Sequence, residues 1–381
     1  MHSMNKLISR LRFNWFLATR TLSYTSDYLK RSYKIYLNHN KVVHFRDGHP
    51  VYSLSTPAMY SKPAANFFAQ QFYKTMRNKN VPNLMSFAVT DVCNAKCEHC
   101  SFFDSVDMIK KEVLTLSQAQ KLIKDAQELG VSVINFTGGE PLLRKDLPDI
   151  IGSVDKDLST TILFTNGWFL AERAKDLRKA GLDSVYVSID SSDPTKHDAM
   201  RGVKGIFEKA SEGIARAKSA GLSTGISCCL TPETFKGGEF KNVVELGKKM
   251  KVHEVLFFDA IPTGRLKGRL DLVGNNAWIE EMIESAGVYN DNPDYPGVLV
   301  YAYATSYRSI GCSCGVNYFY ITPYGDVCPC DFDHVIFGNI LETPLYQPAL
   351  RVWKPRVVEG NPVLQAFRQF LALFSGSAQR L

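Results

Sequence analysis

Between residues 83 and 287, short β-branched runs alternate with amphipathic stretches, and this alternation narrows the possible folds more than any other feature. The strand candidates are "LMSFAVT" (84–90), "SVINFTG" (132–138), "TTILFT" (160–165), "SVYVSID" (184–190), "STGISCCL" (223–230) and "HEVLFFDA" (253–260). Apolar residues recur at helical spacing in the stretches between them. One opens with Ser117 as its expected N-cap ahead of "QAQKLIKDAQELG" and stops at Gly130. Two others, "FLAERAKDLRKAG" and "IFEKASEGIARAKSAG", stop at Gly181 and Gly221. Glycine there supplies the left-handed residue that ends a helix. Six β–α units in register require parallel strands joined by right-handed crossovers, as an open sheet or a full or partial barrel.

At 381 residues the chain exceeds the ~250–300 at which a single core stops growing, so appendages are expected around the β/α unit. The divisions are a basic, aromatic arm over 1–80, the barrel unit over 81–287, a Tyr-, Pro-, Gly- and Cys-rich segment over 288–345, and a tail over 346–381. In the tail, Val363, Phe367, Phe370, Leu371 and Phe374 share one helix face. No apolar run approaches the ~18–20 residues of a membrane span, and the "FLA" run near the N-terminus is too short for a signal-peptide core. A cytoplasmic, reducing location is expected, where nine cysteines point to metal or redox chemistry rather than disulfides.

The net charge of +7 is uneven: residues 1–80 hold thirteen Lys/Arg against Asp27 and Asp47, leaving the remainder acidic. A basic solvated surface is the commoner cause of such asymmetry, and no nucleic-acid partner is expected. In the same arm Leu7, Leu11, Trp15, Ala18 and Leu22 fall on one helical face, while Phe13, Phe16 and Leu17 project elsewhere. Three roles remain open for residues 1–40: packing against the barrel, peripheral contact with an anionic inner-membrane surface, and capture of an acidic peptide or cofactor.

"TDVCNAKCEHC" follows the first strand and gives Cys93, Cys97 and Cys100 the spacing C-x3-C-x2-C. One loop can wrap three thiolates at this spacing around a soft metal centre. Zinc is one reading, with His99 as fourth ligand. Inert core cysteines are another, improbable for three so close together. A four-iron cubane explains what zinc does not, because three ligands leave one iron open for a small molecule.

The triad, the strand before it and the β/α array behind it resemble the radical S-adenosylmethionine (SAM) superfamily. The resemblance implies a partial (β/α)6 barrel, α/β in class, with its chemistry at the C-terminal ends of the strands. It also implies that the three cysteines hold a [4Fe–4S] cluster whose open iron binds SAM, and that an electron donor such as flavodoxin or ferredoxin serves the site. Where this family usually has an aromatic residue before the third cysteine, the chain has His99. "TGGEP" (137–141) resembles the family's GGE turn: Gly138 and Gly139 allow close backbone approach, and Glu140 accepts from the SAM ammonium. By the same resemblance Ser188 and Asp190 of "YVSID" meet the ribose hydroxyls and Arg201 reaches the SAM carboxylate. Asn166 of "FTNG" lines the pocket or serves only as the turn residue before Gly167.

"GCSCGVNYFYITPYGDVCPC" carries Cys312, Cys314, Cys328 and Cys330 as two C-x-C pairs. The turn "PYGD" between apolar runs reads as a hairpin that folds one pair onto the other. Zinc and an iron–sulfur cluster both suit four convergent thiols. Cys314, Gly325 and Cys330 resemble the signature of SPASM and twitch extensions, which implies an auxiliary [4Fe–4S] cluster. No cysteine follows Cys330, so one such cluster is the expectation, with Cys312 and Cys328 as its less certain ligands.

Of Cys228 and Cys229, adjacent on a strand, only one can face the barrel interior. Asp259, closing the sixth strand ahead of "PTGR", is the candidate catalytic residue, with a salt bridge to Arg265 as its structural alternative. The reading is therefore a radical SAM enzyme that abstracts a hydrogen atom from a peptide, haem-like or lipid-like substrate. A non-catalytic iron–sulfur or zinc-binding electron-transfer protein is the alternative.

Overall fold

The computed structural model describes residues 41–77, 81–103, 111–302 and 312–345. The arm helix expected within residues 1–40 and the tail helix expected within 346–381 lie outside the described residues. A short hairpin, β1 (His44–Arg46) and β2 (His49–Val51), precedes helix α1 (Lys62–Arg77). The array then runs β3 (Leu84–Ala88), α2 (Leu116–Glu128), β4 (Val133–Thr137), α3 (Leu147–Gly152), β5 (Thr160–Thr165), α4 (Leu170–Lys179) and β6 (Ser184–Ser188). It continues through α5 (Pro194–Arg201), α6 (Ile206–Ser219), β7 (Ser223–Leu230), α7 (Pro232–Lys236), α8 (Glu239–Met250), β8 (Glu254–Asp259) and α9 (Asn276–Asn290). Three further strands follow: β9 (Gly297–Val300), β10 (Tyr318–Ile321) and β11 (Val327–Cys328).

All six strands expected from the sequence form, and they pair parallel in chain order from β3 to β8. Residues 288–345 extend this sheet at both edges. β9 pairs parallel with β8, and β10 pairs parallel with β3, with Tyr318 opposite Leu84 and Ile321 opposite Phe87. Eight parallel strands therefore curve around one interior, and the antiparallel β11 covers the outer edge of β10. Tyr301, just past β9, lies 4.9 Å from the Phe258 ring and 6.5 Å from Phe332, which comes from the segment after β11.

The strand residues that face the helices build the main core, including Met85, Phe87, Ile134, Phe136, Leu163, Val185, Val187, Ile226 and Phe257, each fully or almost fully buried. Burial on both faces explains why these strands read as continuous β-branched runs. One boundary differs from expectation: α2 is capped by Thr115, not Ser117. The Thr115 hydroxyl accepts from Gln118 N while the Gln118 side chain accepts from Thr115 N, a reciprocal capping box.

The described part of the arm closes the lower, N-terminal end of the barrel. Val51, Leu54 and Ala58 pack against Val133, Ile162, Tyr186, Leu256 and Leu299. Glu254, buried there, accepts from Ser53 Oγ at 2.9 Å, Leu54 N at 2.5 Å and Tyr186 Oη at 2.9 Å. Arg46 donates to Ser184 Oγ at 2.9 Å and pairs with Asp183 at 3.6 Å. Three basic or acidic groups that look like surface charge in the sequence thus anchor a plug.

Candidate functional site

A cavity of about 450 Å³ occupies the barrel interior and opens at the C-terminal ends of the strands. All three cysteines of the first set line it, on the loop after β3, with Cys97 buried and Cys93 and Cys100 half-buried. This loop is gripped from three sides. The carbonyls of Met200 and Arg201, at the end of α5, accept from Glu98 N at 3.1 Å and Lys96 N at 3.0 Å. Arg265 donates to the Cys97 carbonyl at 2.8 Å, and its backbone N–H donates to the Cys100 carbonyl at 2.9 Å. Beyond β4, Gly139 N donates to Thr90 O and Glu140 N to Val92 O. A Cβ on Gly138, whose φ is +133°, would stand 2.5 Å from Thr90 O, and one on Gly139 would stand 2.3 Å from Val92 O. The two glycines are therefore needed for the turn to lie against the cysteine loop.

Burial pushes the Cys93 thiol up to about 11 and also raises Cys97. Desolvated thiols that resist ionisation become good ligands only opposite a strong positive centre, which suits an iron–sulfur cluster. Arg201 supplies some positive charge already, with Nη1 donating to Cys97 Sγ at 3.6 Å.

Glu140, Asn166, Ser188, Asp190 and Arg201 all reach the cavity wall, together with Gly138, Gly139 and Asp259. Their partners refine the roles implied by family resemblance. The Glu140 carboxylate accepts from Thr165 Oγ1 at 2.6 Å, Asn166 N at 2.8 Å and Leu142 N at 3.0 Å, and burial nonetheless raises it above its ordinary value. Asn166 donates to Asn94 Oδ1 at 2.8 Å and accepts from Trp168 N, so it lines the pocket and shapes the turn at once. Ser188 sits 3.3 Å from Ser227 Oγ, on the cavity side. Asp190 is almost wholly buried: Oδ2 lies 2.6 Å from Arg201 Nε and 3.3 Å from His99 Nε2, while Oδ1 accepts from Cys229 N. Burial acts to raise Asp190, but Arg201 and His99 together hold it well below the usual carboxylate range. Arg201 and Asp190, expected to meet different parts of SAM, are thus paired with each other. His99, the departure from the family pattern, completes that pair by tying the cysteine loop to β6.

Asp259 is half-buried at the end of β8, and burial pushes it up to about 6. Arg265, its expected salt-bridge alternative, is engaged with Cys97 O and lies 5.4 Å from the Phe103 ring. Cys228 and Cys229 both border the cavity, Cys228 buried against the main core and Cys229 half-buried, with burial pushing the Cys229 thiol well up.

In the second set, Cys312 and Cys330 both lie close enough to Cys314 to push its thiol well up, so the three sit near one another. Gly325, with φ +87°, makes the turn between β10 and β11 that permits this. Cys328 is placed differently, packed with Ala88, Phe102, Tyr320 and Tyr324 in a cluster that also touches Cys100. Among the described residues, no three His, Cys, Asp or Glu side chains close around a point tightly enough for a single metal ion. Tyr301, Asp331 and Phe332 also stand on the cavity wall, and no sequence motif marks them because their placement depends on the pairing of the barrel's two edges.

A parallel β/α barrel thus presents a cysteine-lined cavity at its C-terminal mouth and a second cysteine hairpin at its edge. Residues 87–246 match the radical SAM superfamily, and residues 312–353 match the SPASM iron–sulfur cluster-binding domain. The chain therefore carries a radical SAM domain followed by a SPASM-type iron–sulfur extension. It is similar to the AdoMet-dependent heme synthase of Nitratidesulfovibrio vulgaris, with 28% identity over 75% of this chain and 80% of that protein. It is also similar to the PqqA peptide cyclase of Streptomyces rochei, with 29% identity over 71% of this chain and 75% of that protein. Among solved structures, Streptococcus suis SuiB bound to its precursor peptide SuiA shares the fold, with a TM-score of 0.60, 16% identity, and coverage of 81% of this chain and 71% of that one. Among the described residues no helix is long and apolar enough to cross a membrane.

Proposed function

We propose that Cys93, Cys97 and Cys100 hold the SAM-binding [4Fe–4S] cluster, and that a substrate in the barrel cavity beneath it loses a hydrogen atom. When bound, the cluster supplies the electron that cleaves SAM to methionine and a 5′-deoxyadenosyl radical. The observation that carries this reading is that all three thiols open onto one cavity, on a loop fixed by backbone hydrogen bonds from both sides. Glu140 has a lone-pair direction left for the SAM ammonium after its three hydrogen bonds, and the turn at Gly138–Gly139 lets SAM lie close to the backbone. Ser188 is placed for a ribose hydroxyl. Asp190 acts one step back, orienting Arg201 and His99 beside the cysteine loop. Asp259, held near neutrality, is suited to take or give a proton at the substrate.

Cys312, Cys314 and Cys330 are the proposed core ligands of an auxiliary [4Fe–4S] cluster, with Cys328 as the fourth candidate. None of these four lines the cavity, although Ser313 and Asp331 do. That favours electron relay to or from the cavity over direct binding of substrate. The peptide-modifying and haem-forming relatives leave both substrate classes open. Anaerobically reconstituted protein, given SAM and a reductant such as dithionite, is expected to form 5′-deoxyadenosine. Iron bound at full load with no deoxyadenosine would leave the electron-transfer alternative standing.

A further inference from the structure

Every charged side chain on the described cavity wall lies at the strands' C-terminal ends or on the segments beyond them: Glu140, Asp190, Arg201, His99, Asp259 and Asp331. The lower half has none. There the lining comes from the plug, α1 and the first halves of the strands, and its polar groups are amides and hydroxyls. Asn83, directly before β3, is 2% exposed, and neither atom of its side-chain amide has a hydrogen-bond partner among the described residues. Asn135, on the cavity side of β4, donates to Ser86 Oγ at 3.2 Å, and its own Oδ1 has no partner among the described residues. The apolar surface around them comes from Phe67, Leu84, Phe164 and Leu299.

A buried amide with neither bond made is costly, and native structures normally give such a group a partner. A carboxamide offers one acceptor and one donor side by side, so its best complement is another carboxamide or a peptide unit. A carboxylate or phosphate in the same place would be desolvated with no cation near it. Apolar walls would meanwhile cover the carbon chain leading to the polar tip.

We infer that the barrel floor is a specificity subsite for a neutral carboxamide group of the substrate, read by Asn83 and Asn135. This rests on the cavity being the substrate site, and it names the chemistry at the substrate's buried end. A primary amide side chain and a backbone peptide unit share that chemistry, and small probes separate them.

The test soaks crystals of the reconstituted holoenzyme with SAM in concentration series of propionamide, N-methylacetamide and propionate, refining occupancy at the floor. One of the two amides should saturate, with its oxygen or nitrogen within ~3.2 Å of Asn83 or Asn135. Propionate should need at least tenfold more. Preference for propionamide assigns a primary amide, and preference for N-methylacetamide a peptide unit. Asn83→Leu should lose the amide while iron content and SAM affinity stay unchanged. If that variant does not fold, Asn135→Leu and the wild-type occupancies still decide. Ordered water alone beside Asn83 at every concentration would overturn the inference, as would propionate binding equally well, occupancy that never saturates, or amide binding that survives Asn83→Leu. Deoxyadenosine formation by the same preparation reports separately on the proposed reaction, so either conclusion can fail without the other.

Discussion

Cys93, Cys97 and Cys100 line the cavity, whereas the second set reaches it only through the neighbours Ser313 and Asp331. The first set sits on a loop between a strand and its crossover, held by backbone bonds from α5 and from the turn after β4. The second is built on a hairpin whose strand β10 seals one edge of the barrel. The same thiol chemistry is thus placed once on the cavity wall and once off it, where Tyr301, Tyr318 and Asp331 line the cavity instead. Under the proposed function, position relative to the cavity, not thiol count, assigns the first set to the reaction and the second to its support.

The sharpest way to break this contrast is to remove the first set. Replacing Cys93, Cys97 and Cys100 together with Ala should abolish deoxyadenosine formation. Bound iron should fall from about eight to about four per chain, on the basis of two cubanes. Deoxyadenosine production that persists in this variant would show that the cavity thiols are not the SAM-cleaving centre.

Removing Cys312, Cys314 and Cys330 should lower iron by the same amount with a different consequence. SAM cleavage should continue, uncoupled, while the substrate product is lost. An iron count that stays at about four in both the wild type and this variant, or one tightly held zinc in the wild type, would leave the hairpin without a cluster. Cys328 gives a finer cut through the same set. Its packing against Tyr320 and Phe102, away from the three gathered thiols, predicts that Cys328→Ser retains most of its iron, whereas Cys314→Ser does not. Equal loss in the two variants would make Cys328 a full ligand.

The placement of the first cysteine set was legible in the sequence and that of the second only in outline, for a physical reason. "TDVCNAKCEHC" and "TGGEP" are local: each lies on one turn, and parallel strands buried on both faces announce their boundaries through β-branched runs. β9 and β10 are four-residue strands in a segment rich in turn-forming residues, and pairing with β8 and β3 specifies them more than their own pattern does. The pairing of Asp190 with Arg201 and His99 was hidden for the same reason, since it joins three separate elements. Residues 41–60 read as part of a basic arm because Arg46 and Lys41 look like surface charge. Arg46 instead meets Asp183, Ser184 and Thr160, and Lys41 Nζ donates to the carbonyl of Asn292 at 2.8 Å. Ser117 lost the cap to Thr115 because Gln118 completes a reciprocal box only with Thr115.

Asp259 offers the smallest expected effect and a test of whether the cavity between the two sets is built for chemistry. Burial holds its carboxyl at about 6, above the ordinary carboxylate value. The folded protein therefore binds this proton more tightly than the unfolded chain does. That contribution to stability is complete below about pH 4, falls as pH rises toward 6, and is absent above it. At neutral pH the ionised group costs roughly 1–2 kcal/mol, allowing for its partial exposure. Asp259→Asn removes that cost, so its apparent Tm should exceed the wild type's by about 1–3 °C at pH 8, with the gain shrinking at pH 5. The same variant should still cleave SAM and form no product, as expected of a group poised for proton transfer at the expense of stability. If Asp259→Asn instead lowers Tm and leaves product formation intact, the carboxylate is a structural partner, and the cavity's chemistry must be sought elsewhere on its wall.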